Sequence, residues 1–205
     1  FLTHAHVGHY AGLIHLGREA YAADHQPVWC TASMSRFLTT NGPWDLLIRA
    51  GHLTLTVIHP DEPLTLAPNL AVTPFLVPHR VEYTDTVGFL IQGPTHAVAY
   101  IPDIDKWERW DRSIEDLIHR ADVALLDGTF FDGDEVPGRN LADIPHPFIA
   151  ESLARCASLP PAERSRVVFT HLNHSNPAAD PASPASRAIR TRGHRVAQEG
   201  ERIEL

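Results

Sequence analysis

The spacing of apolar residues changes period several times along the chain, and each change marks an element. Residues 1–3 read as the end of a buried strand, and 4–9 as a loop. Residues 10–23 carry Leu13, Ile14 and Ala20 on roughly one helical face. A short strand is predicted over 27–32. A helix capped by Ser33 then runs to about Thr40, where Asn41-Gly42-Pro43 stops it, and 44–50 form another helical turn or two. Residues 52–58 alternate apolar and polar as a half-buried strand does, and 64–66, 70–77, 86–92 and 97–101 read as further strands between turn residues. An amphipathic helix is predicted over 105–120, carrying Trp107, Trp110, Ile114, Leu117 and Ile118. Buried strands without alternation are predicted at 123–126 and 167–170, helices at 148–157 and 181–192, and a final strand pair around Val196 and Ile203. Consecutive strands mid-chain, flanked by helices, predict an α/β sandwich.

Composition narrows the class. The 205 residues are 43% hydrophobic and 20% charged, as in a soluble globular protein of one domain, 1–205. No apolar run approaches the ~20 residues of a membrane span. The net charge of −8 disfavours a general nucleic-acid surface. Cys30 and Cys156 are too far apart in sequence for a CxxC pair, which points to a reducing, cytoplasmic setting. The expected partner is a small molecule or a peptide, with a homodimer left open. The first motif lies so close to Phe1 that upstream strands are expected to be missing, leaving an exposed apolar edge near Phe1 and Leu2.

Histidine changes the picture most. There are 14, roughly three times the share of an ordinary domain. The densest run is His4-Ala5-His6-Val7-Gly8-His9, at the mouth of an apolar strand. An extended backbone puts His4 and His6 on one side, and the turn brings His9 to a neighbouring position. Imidazoles so spaced can share one or two borderline cations such as zinc or iron.

This run resembles the H-x-H-x-D-H signature of the metallo-β-lactamase superfamily, and four more segments follow in that superfamily's order. They are Val77-Pro78-His79-Arg80 with Tyr83-Thr84-Asp85-Thr86-Val87-Gly88-Phe89, then Tyr100-Ile101-Pro102-Asp103, then Leu126-Asp127-Gly128-Thr129-Phe130, then Thr170-His171-Leu172-Asn173-His174-Ser175-Asn176-Pro177. The wording is most similar to the branch that holds ribonuclease Z and pyrroloquinoline-quinone synthesis protein B. The resemblance implies an αββα sandwich with the metal loops gathered at one sheet edge. It implies His4, His6 and His79 around one metal, His9 and His171 around a second, and Asp103 between them. It also implies a metal-dependent hydrolase acting on an ester, thioester, lactam or phosphodiester bond, with Zn2+ as cofactor and Asp103 and His174 handling protons. Two alternatives stand beside it: an iron-dependent oxidative protein of pyrroloquinoline quinone synthesis, and an inactive metal-binding remnant. Gly8 departs from the pattern, because the family places a ligating Asp there. Asp127 is a candidate partner of a ligand His, or a turn cap. His146, in Ile144-Pro145-His146-Pro147, either faces the pocket or sits in a loop. Asp105 reads as a helix cap rather than a ligand.

Overall fold

The computed structural model describes residues 1–205. Nine strands form two sheets. β1 (Gln26–Cys30) and β2 (Leu53–Val57) are parallel partners. The other seven lie in chain order in one sheet: β3 (Leu64–Ala67), β4 (Leu70–Leu76), β5 (Val87–Gln92), β6 (Ala97–Ile101), β7 (Val123–Asp127), β8 (Val167–Thr170) and β9 (Arg195–Val196). The helices are α1 (Val7–Tyr10), α2 (Ala32–Thr40), α3 (Trp44–Arg49), α4 (Ile114–Arg120), α5 (Ile149–Arg155), α6 (Pro161–Arg164) and α7 (Pro184–Thr191). None is long and apolar enough to cross a membrane.

Period-two alternation sorts the core into layers. Val28, Cys30 and Leu53 point from the small sheet to Met34 and Leu38 of α2 and Leu47 of α3. On its opposite side Trp29 and Ile58 meet Val72, Val87 and Phe89 of the large sheet. The far face of the large sheet, with Leu90, Ile101, Leu126 and Phe169, packs on Ile114 and Ile118 of α4, Ile149 and Leu153 of α5, and Ile189 of α7. The result is the expected αββα sandwich. Its parallel strands β7 and β8 are mostly buried, in keeping with their continuous apolar runs.

Strand direction gathers the site. β4 is antiparallel to β5, and β5 to β6, so β4 and β6 run the same way; β7 and β8 are parallel to β6. His79, Asp103, Asp127 and His171 follow or end β4, β6, β7 and β8, and therefore emerge at one end of the large sheet. Residues 1–3 span the two sheets. The Leu2 N–H donates to the Trp29 carbonyl (3.0 Å), and the Val87 N–H donates to the Thr3 carbonyl (3.1 Å).

Several local expectations are corrected. The helix over 10–23 is replaced by α1 and a 3-10 turn, Ala11–Leu16, because Gly12 and Gly17 weaken a longer helix. The helix over 105–120 is broken: Trp107–Arg109 is a 3-10 turn, and α4 starts at its cap Ser113, whose Oγ accepts from the Asp116 N–H. Trp107 and Trp110 are both buried, with their indole N–H groups donating to Ser152 Oγ and the Leu76 carbonyl, and these anchors fix the broken path. α2 is capped by Thr31, while Ser33 donates to Asp85. Val196 pairs with β8 and not with Ile203. The apolar edge expected at the N-terminus is partly covered. Leu2 is buried, and Phe1, 42% exposed, stacks on Trp29.

One close approach sets the mouth of the site. A Cβ on Gly128 would lie 2.9 Å from the Thr170 carbonyl oxygen and 3.0 Å from Phe169 Cβ. Backbone cannot yield as a flexible side chain does, so Gly128→Ala is expected to destabilise the protein by about 1–3 kcal/mol. Urea denaturation checks this, and an unchanged midpoint would refute the packing argument.

Candidate metal centre

Three groups of ligand-bearing side chains converge on Asp103, and within each group the ligand atoms lie within 4.8 Å of one another. The first is His4, His6, His79 and Asp103; the second His9, Asp103 and His171; the third Asp103, Asp127 and His146. His4 Nε2 is 2.8 Å from His6 Nδ1. Asp103 Oδ2 is 3.5 Å from His4 Nε2 and 2.7 Å from His9 Nε2. His171 Nε2 is 3.1 Å from His9 Nε2. One carboxylate oxygen therefore reaches both of the first two groups.

The local backbone explains how a six-residue run supplies three rings. His4 lies in the bridging segment between the sheets and is almost fully buried. The Ala5 N–H donates to Thr84 Oγ1 (2.9 Å), which fastens the run to the loop after β4. α1 then starts, and its helical turn swings His9 back beside His4, with ring centroids 4.4 Å apart. His171 has a φ of 59°, in the left-handed region that a non-glycine residue adopts only when its surroundings compel it.

Asp127 is not free to ligate. Its Oδ1 accepts from the Thr129 N–H and hydroxyl, and its Oδ2 accepts from the Ile104 N–H (3.1 Å) and lies 2.8 Å from His146 Nδ1. These bonds leave it to orient His146. His146 Nδ1 is also 3.3 Å from Asp103 Oδ1. That oxygen has no partner with hydrogen-bond geometry, and neither has either ring nitrogen of the buried His79. Buried polar atoms left unpaired cost free energy. Their clustering with imidazoles is what a cation-binding set looks like, and nitrogen donors with one carboxylate suit zinc or iron. The residues present fit a metal.

Charge agrees. Burial, with the neighbouring His9 adding to it, pushes the His4 imidazolium down to about 3, and burial pushes His79 to about 4. Both rings are therefore neutral near pH 7, the form that binds metal. Burial works against the Asp103 carboxylate, but the hydrogen bond from His9 and the charges of His171, His146 and His79 outweigh it and hold its pKa well below the usual range. For His146, burial is outweighed by the hydrogen bond and charge of Asp127, so its pKa is raised.

The sequence-derived ligands His4, His6, His9, His79, Asp103 and His171 are all brought together. His174 is not: it lies in an exposed turn outside all three groups. Asp105 is no ligand either. It pairs with Arg109 and accepts from the Lys106 N–H, so it steadies the 3-10 turn from one position before its cap. His146 faces the cluster, a placement its Pro-His-Pro setting left open. Glu82 and Thr129, which bond to His6 and His171, went unnoticed because isolated polar residues in loops carry no periodic signal.

The lowered histidine pKa values give the metal-free protein a pH dependence. Between pH ~6.5 and the folded-state values, the unfolded chain binds protons that folded His4 and His79 refuse, so stability falls as pH drops through that window. His146, raised, contributes stability that is full below ~6.5 and lost as pH rises above it. The thermal midpoint in chelator is thus expected to decline from pH ~6.5 to ~4.5, and His79→Gln should flatten the decline. Melts followed by circular dichroism test it, and an equally steep decline in the variant would refute it.

Residues 1–172 match the family model described as the β-lactamase superfamily domain. The whole chain aligns at 30% identity with 72% of a coenzyme PQQ synthesis protein B from Methylobacterium sp. (strain 4-46). The Zn(2+)-bound PqqB of Methylobacterium extorquens superposes with a TM-score of 0.77 at 25% identity, over 99% of this chain and 71% of that one. The metallo-β-lactamase fold protein YhfI of Bacillus subtilis, at 18% identity and a TM-score of 0.65 over 97% of this chain and 74% of its own, shares the fold. The chain belongs to the β-lactamase superfamily, in the group of the coenzyme PQQ synthesis protein B relatives.

Proposed function

We propose that the chain is a metal-dependent hydrolase whose ligands are His4, His6 and His79 for a first cation and His9 and His171 for a second, with Asp103 shared. The observation that carries this is the unpaired Asp103 Oδ1 and the unpaired ring nitrogens of His79, all buried inside the imidazole cluster. When bound, a divalent cation supplies an activated water of pKa ~7 and polarises a carbonyl or phosphoryl oxygen. The protein's own groups do the rest. Asp103, ionised and acceptor-only, accepts a hydrogen bond from the water at a carboxylate oxygen and so orients it. His146 donates its Nδ1–H to Asp127, which holds the ring in one tautomer and leaves Nε2 to exchange a proton with a leaving group.

A second reading rests on the identity to coenzyme PQQ synthesis protein B. The same nitrogen-rich set with one carboxylate suits iron, and the chemistry would then be oxidative, within the synthesis of that cofactor. Metal counting on protein purified without added metal, with oxygen uptake measured beside ester and phosphodiester cleavage, separates the two. Zinc with oxygen-independent cleavage supports the first; iron with oxygen consumption and no cleavage overturns it.

Gly8 bears on the second cation. No acidic residue lies in the first turn of α1, and a Cβ on Gly8 would meet nothing within 4 Å. The first cation is therefore expected to bind more tightly than the second. Gly8→Asp adds a carboxylate at a position whose Cβ has open space and should tighten the second step by ~10-fold or more, the range that even indirect changes around a metal produce. Calorimetric titration with zinc and parallel metal counting provide the check. Two equal affinities, unchanged by Gly8→Asp, would show that another group already completes the second set.

A further inference from the structure

The loop that supplies His79 holds a second feature of consequence. His6 offers Nδ1 to the cluster, 2.8 Å from His4 Nε2, while its other nitrogen, Nε2, lies 2.8 Å from Glu82 Oε2. Histidine has two nitrogens, and which one keeps a proton is settled by the bond the other makes. A carboxylate accepts only, so the nitrogen facing Glu82 must carry the hydrogen. The lone pair of His6 is then directed from Nδ1 into the cluster. The other ligand rings have weaker means of orientation: His4 Nδ1 meets the Thr3 hydroxyl (3.0 Å), His171 Nδ1 the Thr129 hydroxyl (3.1 Å), and His79 has no partner at all. Among the histidines of the first group, His6 alone meets a carboxylate outside the cluster.

Glu82 stands three residues after His79, in the segment His79-Arg80-Val81-Glu82. Arg80 Nη1 is 3.6 Å from Glu82 Oε1, the oxygen that does not meet His6. One short loop thus delivers a ring of the first group and the group that orients another. The His6 side chain is 23% exposed and Glu82 45%. Without this bond the His6 ring would be free to turn its Nδ1 toward solvent.

We infer that Glu82 is a positioning residue for the metal centre: its carboxylate holds His6 in the Nε2–H tautomer and aims Nδ1 at the first cation. This rests on the metal reading proposed above. A hydrogen bond from a ligating imidazole to a carboxylate also makes the ring a better donor, and loss of such a partner typically costs ~10–100-fold in metal affinity.

The test compares wild type, Glu82→Ala, Glu82→Gln and His6→Ala. Zinc affinity is measured by competition with a chromophoric chelator, and the His6 tautomer by 15N chemical shifts of the metal-free protein. Glu82→Ala is expected to weaken the tighter zinc step by ~10–100-fold and to lose the single Nε2–H signature of His6. Glu82→Gln, whose amide oxygen can still accept, should keep the tautomer and recover part of the affinity. Because Glu82 lies in a surface loop, its side chain 45% exposed, the metal-free thermal midpoint should change little in both variants. Zinc bound tightly by wild type and lost in His6→Ala, yet unaffected in Glu82→Ala with the tautomer retained, overturns the role of Glu82 alone. Failure of wild type to bind zinc, or unchanged binding in His6→Ala, overturns the metal reading and this inference with it.

Discussion

The buried carboxylate of Asp103 is the charge around which the site is organised. It is 3% exposed in its side chain, it is ionised, and the imidazoles of His4 and His79 beside it are neutral near pH 7. A buried anion without full compensation costs several kcal/mol, and only His9 gives it close pairing, at 2.7 Å. The arrangement is favourable when a cation joins it. Selection for function rather than for the stability of the bare protein accounts for such a cluster.

The fold can carry that cost because the ligands sit where strands end. Four strands running the same way, β4, β6, β7 and β8, aim their following residues at the same end of the large sheet, above the main apolar core. His79, Asp103 and His171 are thereby held just beyond strand ends, and small movements of one loop do not disperse the others. The histidine run has no strand beneath it. It depends on a few bonds, Ala5 to Thr84, Leu2 to Trp29 and Thr3 to Val87, which suspend it between the sheets. The layer of α2 and the small sheet is therefore part of the site's support as well as part of the core.

Around the cluster the hydrogen bonds divide the carboxylates by role. Asp127 has accepted as many bonds as its two oxygens comfortably take, and so orients His146. Asp103 keeps an oxygen unpaired. Glu82 lies outside, on the far nitrogen of His6. Three acids of one chemical type thus do three things, decided by who else donates to them.

The sequence by itself determined the strand pattern and an α/β sandwich, and its ordered motifs, through their resemblance to the metallo-β-lactamase superfamily, implied the αββα layering and six of the residues that meet at the sheet end. Strand alternation and buried parallel runs are local signals, and closely spaced histidines are rare enough to stand out. It left His146 between pocket and loop, and it did not reveal that His174, on the same Thr-His-Leu-Asn-His run as His171, lies in an exposed turn outside the ligand groups. Tertiary structure decided these, because nothing local to residue 146 reveals that Asp127 lies 2.8 Å away. It also decided the break at Trp110, where two buried indoles override helical periodicity, and the role of Glu82, whose partner is 76 residues upstream. Periodicity reports which side of an element faces the core. It cannot report which loops meet at the end of a sheet, and that meeting is set by strand order and direction.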